Sequence, residues 1–118
     1  MSMTTSSDSC IFCKIVRKEI PADIVFESVN VVAFTDLTPQ APTHVLIVPK
    51  FHYENAAEVA ADAQSTLAEM TTLADVIAKE RGLDGYRLNF NTGASAGQSV
   101  FHAHLHLLGG RAFAWPPG

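Results

Sequence analysis

The sequence predicts an α+β domain, an antiparallel β-sheet of about five strands carrying one long and one short helix. Three observations point there. Five short runs rich in β-branched and aromatic residues, at 24–27, 31–35, 44–48, 86–91 and 101–108, are bounded by turn-forming residues. One middle segment repeats apolar residues at helical spacing, with Leu67, Met70, Ala74 and Ile77 in a single stripe. The 118 residues are enough for one hydrophobic core and not two, and most links between elements are short.

Taken in order, residues 1–9 are polar and rich in Ser and Thr, and are expected to fray as a disordered tail before a single domain at 10–118. Apolar Ile11, Phe12, Ile15 and Val16 fit a short helix within 11–19, stopped ahead of Pro21. Runs 24–27 and 31–35 lie close enough to form a hairpin. Pro39 and Pro42 mark 38–43 as a loop, and 44–48 reads as a central strand ending at Pro49. The long helix is expected to take Asp62 as its N-cap, carry Lys79 and Arg81 in its last turn, and close at Gly82. Leu73 and Val76 lie beside the stripe and widen the apolar face. That width fits either a thick core contact or a face against a second subunit. Runs 86–91 and 101–108 are the last two strands, joined by a Gly-rich loop at 92–99, with the helices on one side of the sheet.

Composition narrows the function classes. Hydrophobic residues form 47% of the chain and charged residues 17%, an ordinary globular balance. A formal charge of −4 leaves no basic excess to neutralise a nucleic-acid polymer, although backbone amides can still hold a single nucleotide's phosphate. Residues 1–9 lack the basic start and apolar run of a signal peptide, and no segment nears the roughly 20 apolar residues that span a bilayer. A cytoplasmic location without a membrane partner is expected, and there Cys10 and Cys13 should be reduced thiols or metal ligands.

The run His102-Ala103-His104-Leu105-His106-Leu107-Leu108 carries most of the functional argument. Side chains alternate across a strand, so the three imidazoles share one face, about 7 Å apart, and Ala103, Leu105 and Leu107 share the other. Three satisfied structural histidines at strict alternation would be unusual. One metal ion shared by all three is disfavoured, because the outer pair is about 13 Å apart at strand rise. Nucleophilic catalysis at phosphorus, with one imidazole attacking and its neighbours managing charge, is the preferred reading. The preceding loop supplies Gly93 and Gly97, where backbone can approach a ligand, and donors from Asn91, Gln98 and Ser99. The pair Cys10-x-x-Cys13 has zinc-ligand spacing, but by itself it could equally be redox-active or incidental.

The segment Gly97-Gln98-Ser99-Val100-Phe101-His102-Ala103-His104-Leu105-His106-Leu107-Leu108-Gly109-Gly110 resembles the signature of the histidine triad (HIT) superfamily. The ending Ala114-Trp115-Pro116-Pro117-Gly118 resembles its Hint branch, as do Cys10-Ile11-Phe12-Cys13-Lys14-Ile15, Ile20-Pro21-Ala22, Asp36-Leu37-Thr38-Pro39-Gln40-Ala41-Pro42-Thr43-His44 and Ile47-Val48-Pro49-Lys50. The similarity runs from about Cys10 to the C-terminus. It implies a hydrolase of purine nucleoside 5′-phosphoramidates acting through a nucleotidyl-histidine intermediate. A dinucleoside polyphosphate hydrolase and a nucleotide-binding scaffold with vestigial catalysis are the alternatives.

The resemblance also implies roles. His104 becomes the nucleophile, His106 the phosphate-binding histidine and His44 its support. Asn91, Ser99 and the amides of Gly97 and Val100 would bind the phosphate or leaving group. Asp36 would accept from both ribose hydroxyls, and Phe12, Ile15, Ile20, Phe34 and Leu37 would enclose the purine. Trp115 would reach the partner's leaving-group site in a homodimer whose two sheets run on as one. Zinc-carrying relatives imply a structural zinc ion held by Cys10, Cys13, His52 and His102, with no cofactor needed for the chemistry.

Overall fold

A computed structural model describes residues 9–118; the expected tail lies outside these described residues except for Ser9, which is exposed. The elements run α1 (Ile11–Val16), β1 (Ile24–Glu27), β2 (Val31–Thr35), β3 (Thr43–Pro49), α2 (Ala56–Asp62), α3 (Gln64–Glu80), β4 (Tyr86–Asn89) and β5 (Leu105–Gly109), with a 3₁₀ turn at Ala94–Ala96. All five strands pair antiparallel in the order β1-β2-β3-β5-β4. The predicted class and the hairpin of β1 with β2 are both present.

Alternation along the strands decides what each face meets. Val31, Ala33, Val45, Ile47, Leu105 and Leu107 pack with Met70, Leu73, Ala74 and Ile77 of α3. Val32, Phe34, Leu46 and Val48 point the other way and meet Phe12 and Ile15 of α1. The helices therefore cover both faces, not the single side expected. The cause is β3, whose seven residues are all buried: a strand apolar on both sides must be covered on both sides. With only six residues, α1 shields only part of its face, and its Phe12 lies against the rings of His102 and His104. Val76 is exposed on α3, outside the core.

The helical region differs from expectation in one respect. Asp62 is not an N-cap; it is the last residue of α2, and its carboxylate accepts a bond from the Tyr53 hydroxyl at 2.7 Å. The cap is Asn55, whose side chain accepts from the Glu58 amide at 3.0 Å and starts an additional helix. The chain then breaks at Ala63 (φ −142°) and resumes as α3 without a side-chain cap. The C-terminus of α3 closes as predicted. Gly82, at φ +68°, donates to Lys79 and Leu83 donates to Ala78, both at 3.0 Å, the paired bonds of a Schellman turn.

The last strand is shorter than the 101–108 run. Ladder pairing begins at Leu105, because the Ala103 amide instead donates to the Tyr53 carbonyl at 2.7 Å. β4 likewise ends at Asn89 and not at 91. The alternation nevertheless continues through the irregular part: Ala103, Leu105 and Leu107 enter the α3 core, while His102 and His104 lie against Phe12 on the opposite side. Among the described residues, no helix is long and apolar enough to cross a membrane.

Candidate active site and metal cluster

Backbone atoms fix the protonation pattern of the imidazoles. His104 Nδ1 lies 2.8 Å from the His102 carbonyl, which can only accept, so His104 carries its proton on Nδ1 and its free electron pair on Nε2. His44 is set the opposite way. The Gln40 amide donates to its Nδ1 at 3.0 Å, leaving the proton on Nε2, which donates to His106 Nδ1 at 2.9 Å. His106 therefore holds its own proton on Nε2, a buried atom with no hydrogen-bond partner among the described residues. A buried, unpaired donor is costly unless something accepts from it. The 4.9 Å between the His104 and His106 rings sets this donor beside the ring that bears the free pair.

Burial keeps these rings neutral. Desolvation lowers the pKa of His44, opposed by the Asp36 carboxylate 3.5 Å from its Nε2. It also lowers that of His104, opposed by the bond to the His102 carbonyl and by Asp36. His106 is pushed down to about 4 by burial, with His104 and His44 adding to the effect. At neutral pH the site thus presents one lone pair and one N–H donor, both on neutral imidazoles.

A cleft of about 260 Å³ opens onto these atoms. Of the residues singled out in the sequence, Phe12, Ile15, Phe34, Asp36, Leu37, Ser99, Val100, His104 and His106 line it. His44 stands behind His106 and acts through it. Asp36 has only part of its carboxylate open, because Oδ1 accepts from the Thr38 amide at 2.8 Å and the Thr38 hydroxyl at 3.2 Å. Ile20 packs with the α1 side of the core and lines a neighbouring recess with Ile15. Asn91 accepts from Asn89 and faces the C-terminal tail. Trp115 is 85% exposed on that tail, away from the cleft.

Two loop donors have other duties. The Gly97 amide is committed to the Ala94 carbonyl at 3.0 Å, closing the 3₁₀ turn at φ +95°. Gln98 is buried: it accepts from the Gly93 amide at 2.9 Å and donates to the carbonyls of Glu54 at 2.7 Å and Val100 at 3.1 Å. It clamps the loop and is not free to meet a ligand. Gln40, whose backbone amide orients His44, went unnoticed in the sequence, because no side-chain pattern advertises a main-chain donor.

His102 belongs to a different group. Its Nδ1 lies 3.3 Å from Cys10 Sγ and 3.5 Å from Cys13 Sγ, and Cys13 Sγ is 3.3 Å from His52 Nδ1. The four donor atoms lie within 4.8 Å of one another. Tetrahedral zinc bound by two sulfurs and two nitrogens sets neighbouring S and N atoms about 3.6 Å apart, so these residues fit such an ion. His102 Nε2 donates to the Pro49 carbonyl at 2.8 Å, which turns the Nδ1 lone pair toward the thiols, as a ligand requires. Burial lowers the pKa of His102 to about 4 and keeps it in the neutral, ligating form. Asp36, His44 and His106 also cluster. Their 2.9 Å nitrogen–nitrogen contact is a hydrogen bond, shorter than the roughly 3.3 Å between two imidazole nitrogens on one tetrahedral ion.

Comparison with known proteins agrees with this geometry. A family model described as the HIT domain matches residues 17–113. The purine nucleoside phosphoramidase of Escherichia coli K12 is 48% identical over 107 residues, 89% of this chain and 90% of that protein. The 14 kDa zinc-binding protein of Zea mays is 49% identical over 111 residues, 92% of this chain and 87% of the relative. The crystal structure of a HIT family hydrolase from Legionella pneumophila Philadelphia 1 superposes with a TM-score of 0.89 at 51% identity, covering 93% of this chain and all of that one. With its paired imidazoles set on a five-stranded antiparallel sheet, the chain belongs to the histidine triad, or HIT, family.

Proposed function

We propose that the chain, acting as a single domain over 10–118 in the cytoplasm, hydrolyses purine nucleoside 5′-phosphoramidates through a nucleotidyl intermediate on His104. One observation carries the reading: the His102 carbonyl holds the proton on Nδ1 and leaves the Nε2 lone pair for attack. Nε2 bonds to the α-phosphorus as the phosphorus–nitrogen bond breaks, and the amine leaves with a proton taken from solvent, which the water consumed in the second step returns. The Nδ1–H bond to the carbonyl disperses the positive charge that develops on the ring. Water then attacks the phosphorus, releasing the nucleoside monophosphate and regenerating the imidazole.

The other residues take roles that their positions support. The unpaired His106 Nε2–H would donate to a non-bridging phosphate oxygen, where negative charge grows in the transition state. His44 supports His106 from behind. Ser99 and Val100 border the same space and would contact the phosphate or leaving group, as would Asn91 from the neighbouring recess it lines. Asp36 would accept a ribose hydroxyl through Oδ2, and through Oδ1 as well if Thr38 turns away. Phe12, Ile15, Phe34 and Leu37 supply apolar walls for a purine, with Ile20 behind Ile15. Cys10, Cys13, His52 and His102 would hold a structural zinc ion that ties α1 to the segment before β5. The E. coli relative's name and the structural likeness to a hydrolase support this substrate class and reaction.

Turnover of adenosine 5′-phosphoramidate should exceed that of a diadenosine polyphosphate, and His104→Ala should lower it by about 10³-fold or more. Mass mapping of a trapped nucleotidyl adduct should place it on His104. Normal turnover in His104→Ala, or an adduct on another residue, would overturn the assignment.

A further inference from the structure

We propose that Arg111 is a positioning residue for catalysis, holding Gln40 so that its backbone amide keeps His44, and through it His106, in the required tautomer. The inference rests on the proposed role of His106. Three hydrogen bonds form one chain of contacts: Arg111 Nε donates to the Gln40 carbonyl at 2.9 Å, the Gln40 amide donates to His44 Nδ1 at 3.0 Å, and His44 Nε2 donates to His106 Nδ1 at 2.9 Å; the chain ends at His106 Nε2, a buried donor without a partner among the described residues. If Gln40 shifts, His44 can move its proton to Nδ1, and His106 then loses the donor that keeps its own proton on Nε2.

The arrangement on either side of Gln40 restricts it. Its side-chain amide donates to the Thr38 carbonyl at 2.9 Å, and Thr38 is tied back to Asp36. Gly110, at φ +91°, lies so close to Pro42 that an added Cβ would fall 2.9 Å from the ring. The residue just before Arg111 is thus pressed against the loop that Arg111 bonds. The guanidinium is fixed in turn: Nη1 donates to the Ala112 carbonyl at 3.0 Å, and the group lies 4.2 Å from the Phe113 ring centroid. Arg87 covers the same ring at 4.7 Å and binds the carbonyls of Ala114 and Pro117, so its hydrogen bonds go to the tail, whereas those of Arg111 include the Gln40 carbonyl.

That contrast gives the test. Arg111→Lys keeps a cation over Phe113 but loses the Nε–H fork, whereas Arg87→Ala loosens the tail and spares the Gln40 contact. Nitrogen-15 NMR of the histidine side chains reads the tautomers directly, independent of any substrate. Arg111→Lys and Arg111→Ala should shift His44 Nδ1 away from an acceptor signature and lower kcat by about tenfold with KM within about twofold, as expected when an oriented group is loosened. Arg87→Ala should leave the His44 signature in place. An unchanged His44 signature in both folded Arg111 variants would overturn the proposal. So would equal kcat losses in Arg111→Lys and Arg87→Ala without any tautomer change, since that marks tail packing alone. Tautomer changes without any phosphoramidase activity in the parent protein would instead refute the proposed reaction.

Discussion

His106 is the residue whose ionisation the fold controls most openly among the groups facing the cleft. Its pKa falls from the ordinary 6.5 to about 4, chiefly through burial. An unfolded chain therefore takes up a proton at this ring between those two values while the native state does not. By linkage, its effect on stability is constant above pH 6.5, and stability is lost as pH falls through the window to about 4. His44 and His104 are lowered in the same direction and add to the slope. The surface carboxylate Glu27, which contacts Lys18 and bonds Lys50 at 2.7 Å, is lowered from 4.5 to about 2, so its contribution is present above pH 4.5 and is lost only below that value, toward pH 2. Urea unfolding at pH 7.5, 6.5 and 5.5 should thus show a decline before the unfolded carboxylates take up protons. His106→Gln should remove part of that decline, and an identical slope in the variant would place the cause elsewhere.

At the scale of elements, a buried amide clamps the loop between β4 and β5 to the segment after β3. Gln98 accepts one bond and donates two, a combination only a carboxamide supplies at that size. Gln98→Glu keeps the shape but turns a charged oxygen toward the carbonyls of Glu54 and Val100. The cost should be at least about 2 kcal/mol, read as a shift in the midpoint of chemical denaturation. Because Ser99 and Val100 ride on this loop, nucleotide affinity should fall as well. Strands were legible because the period-2 apolar pattern is local, and the imidazole row was legible for the same reason. The break at Ala63 was not, since Asp62 looks like a cap until the Tyr53 hydroxyl, which claims its carboxylate, is placed in space. Which helix covers the second sheet face was hidden, because it depends on where α1 docks, although the two-sided apolar run of β3 calls for such a cover. Side chains at the site were foreseeable, but the main-chain atoms that set their tautomers leave no compositional trace, whether they lie two or four residues away (His102 O for His104, Gln40 N for His44) or on another strand (Pro49 O for His102).

For the whole molecule, the two sheet edges differ in how well they are protected. β1 is bulged between Ile24 and Phe26, and its Glu27 is engaged by Lys18 and Lys50, features that discourage strand addition. β4 pairs with β5 in unbroken register and carries exposed Tyr86 at its start, while exposed Val76 lies on α3, the helix packed on the same sheet. An open regular edge beside exposed apolar side chains is what a two-fold pairing of this strand would cover, giving the continuous sheet expected from the sequence. Light scattering should then report about twice the 12.7 kDa chain mass. Val76→Glu, at a half-exposed position outside both core clusters, should shift the population to monomer. Trp115 supplies a second reading: it is the sole tryptophan and is 85% exposed in one chain. If the tail reaches toward a partner, its emission should be blue-shifted in the parent protein and move to longer wavelength in Val76→Glu. A chain that scatters as a 12.7 kDa particle at every concentration, with water-exposed Trp115 emission throughout, would leave the β4 edge unpaired and the tail without a partner.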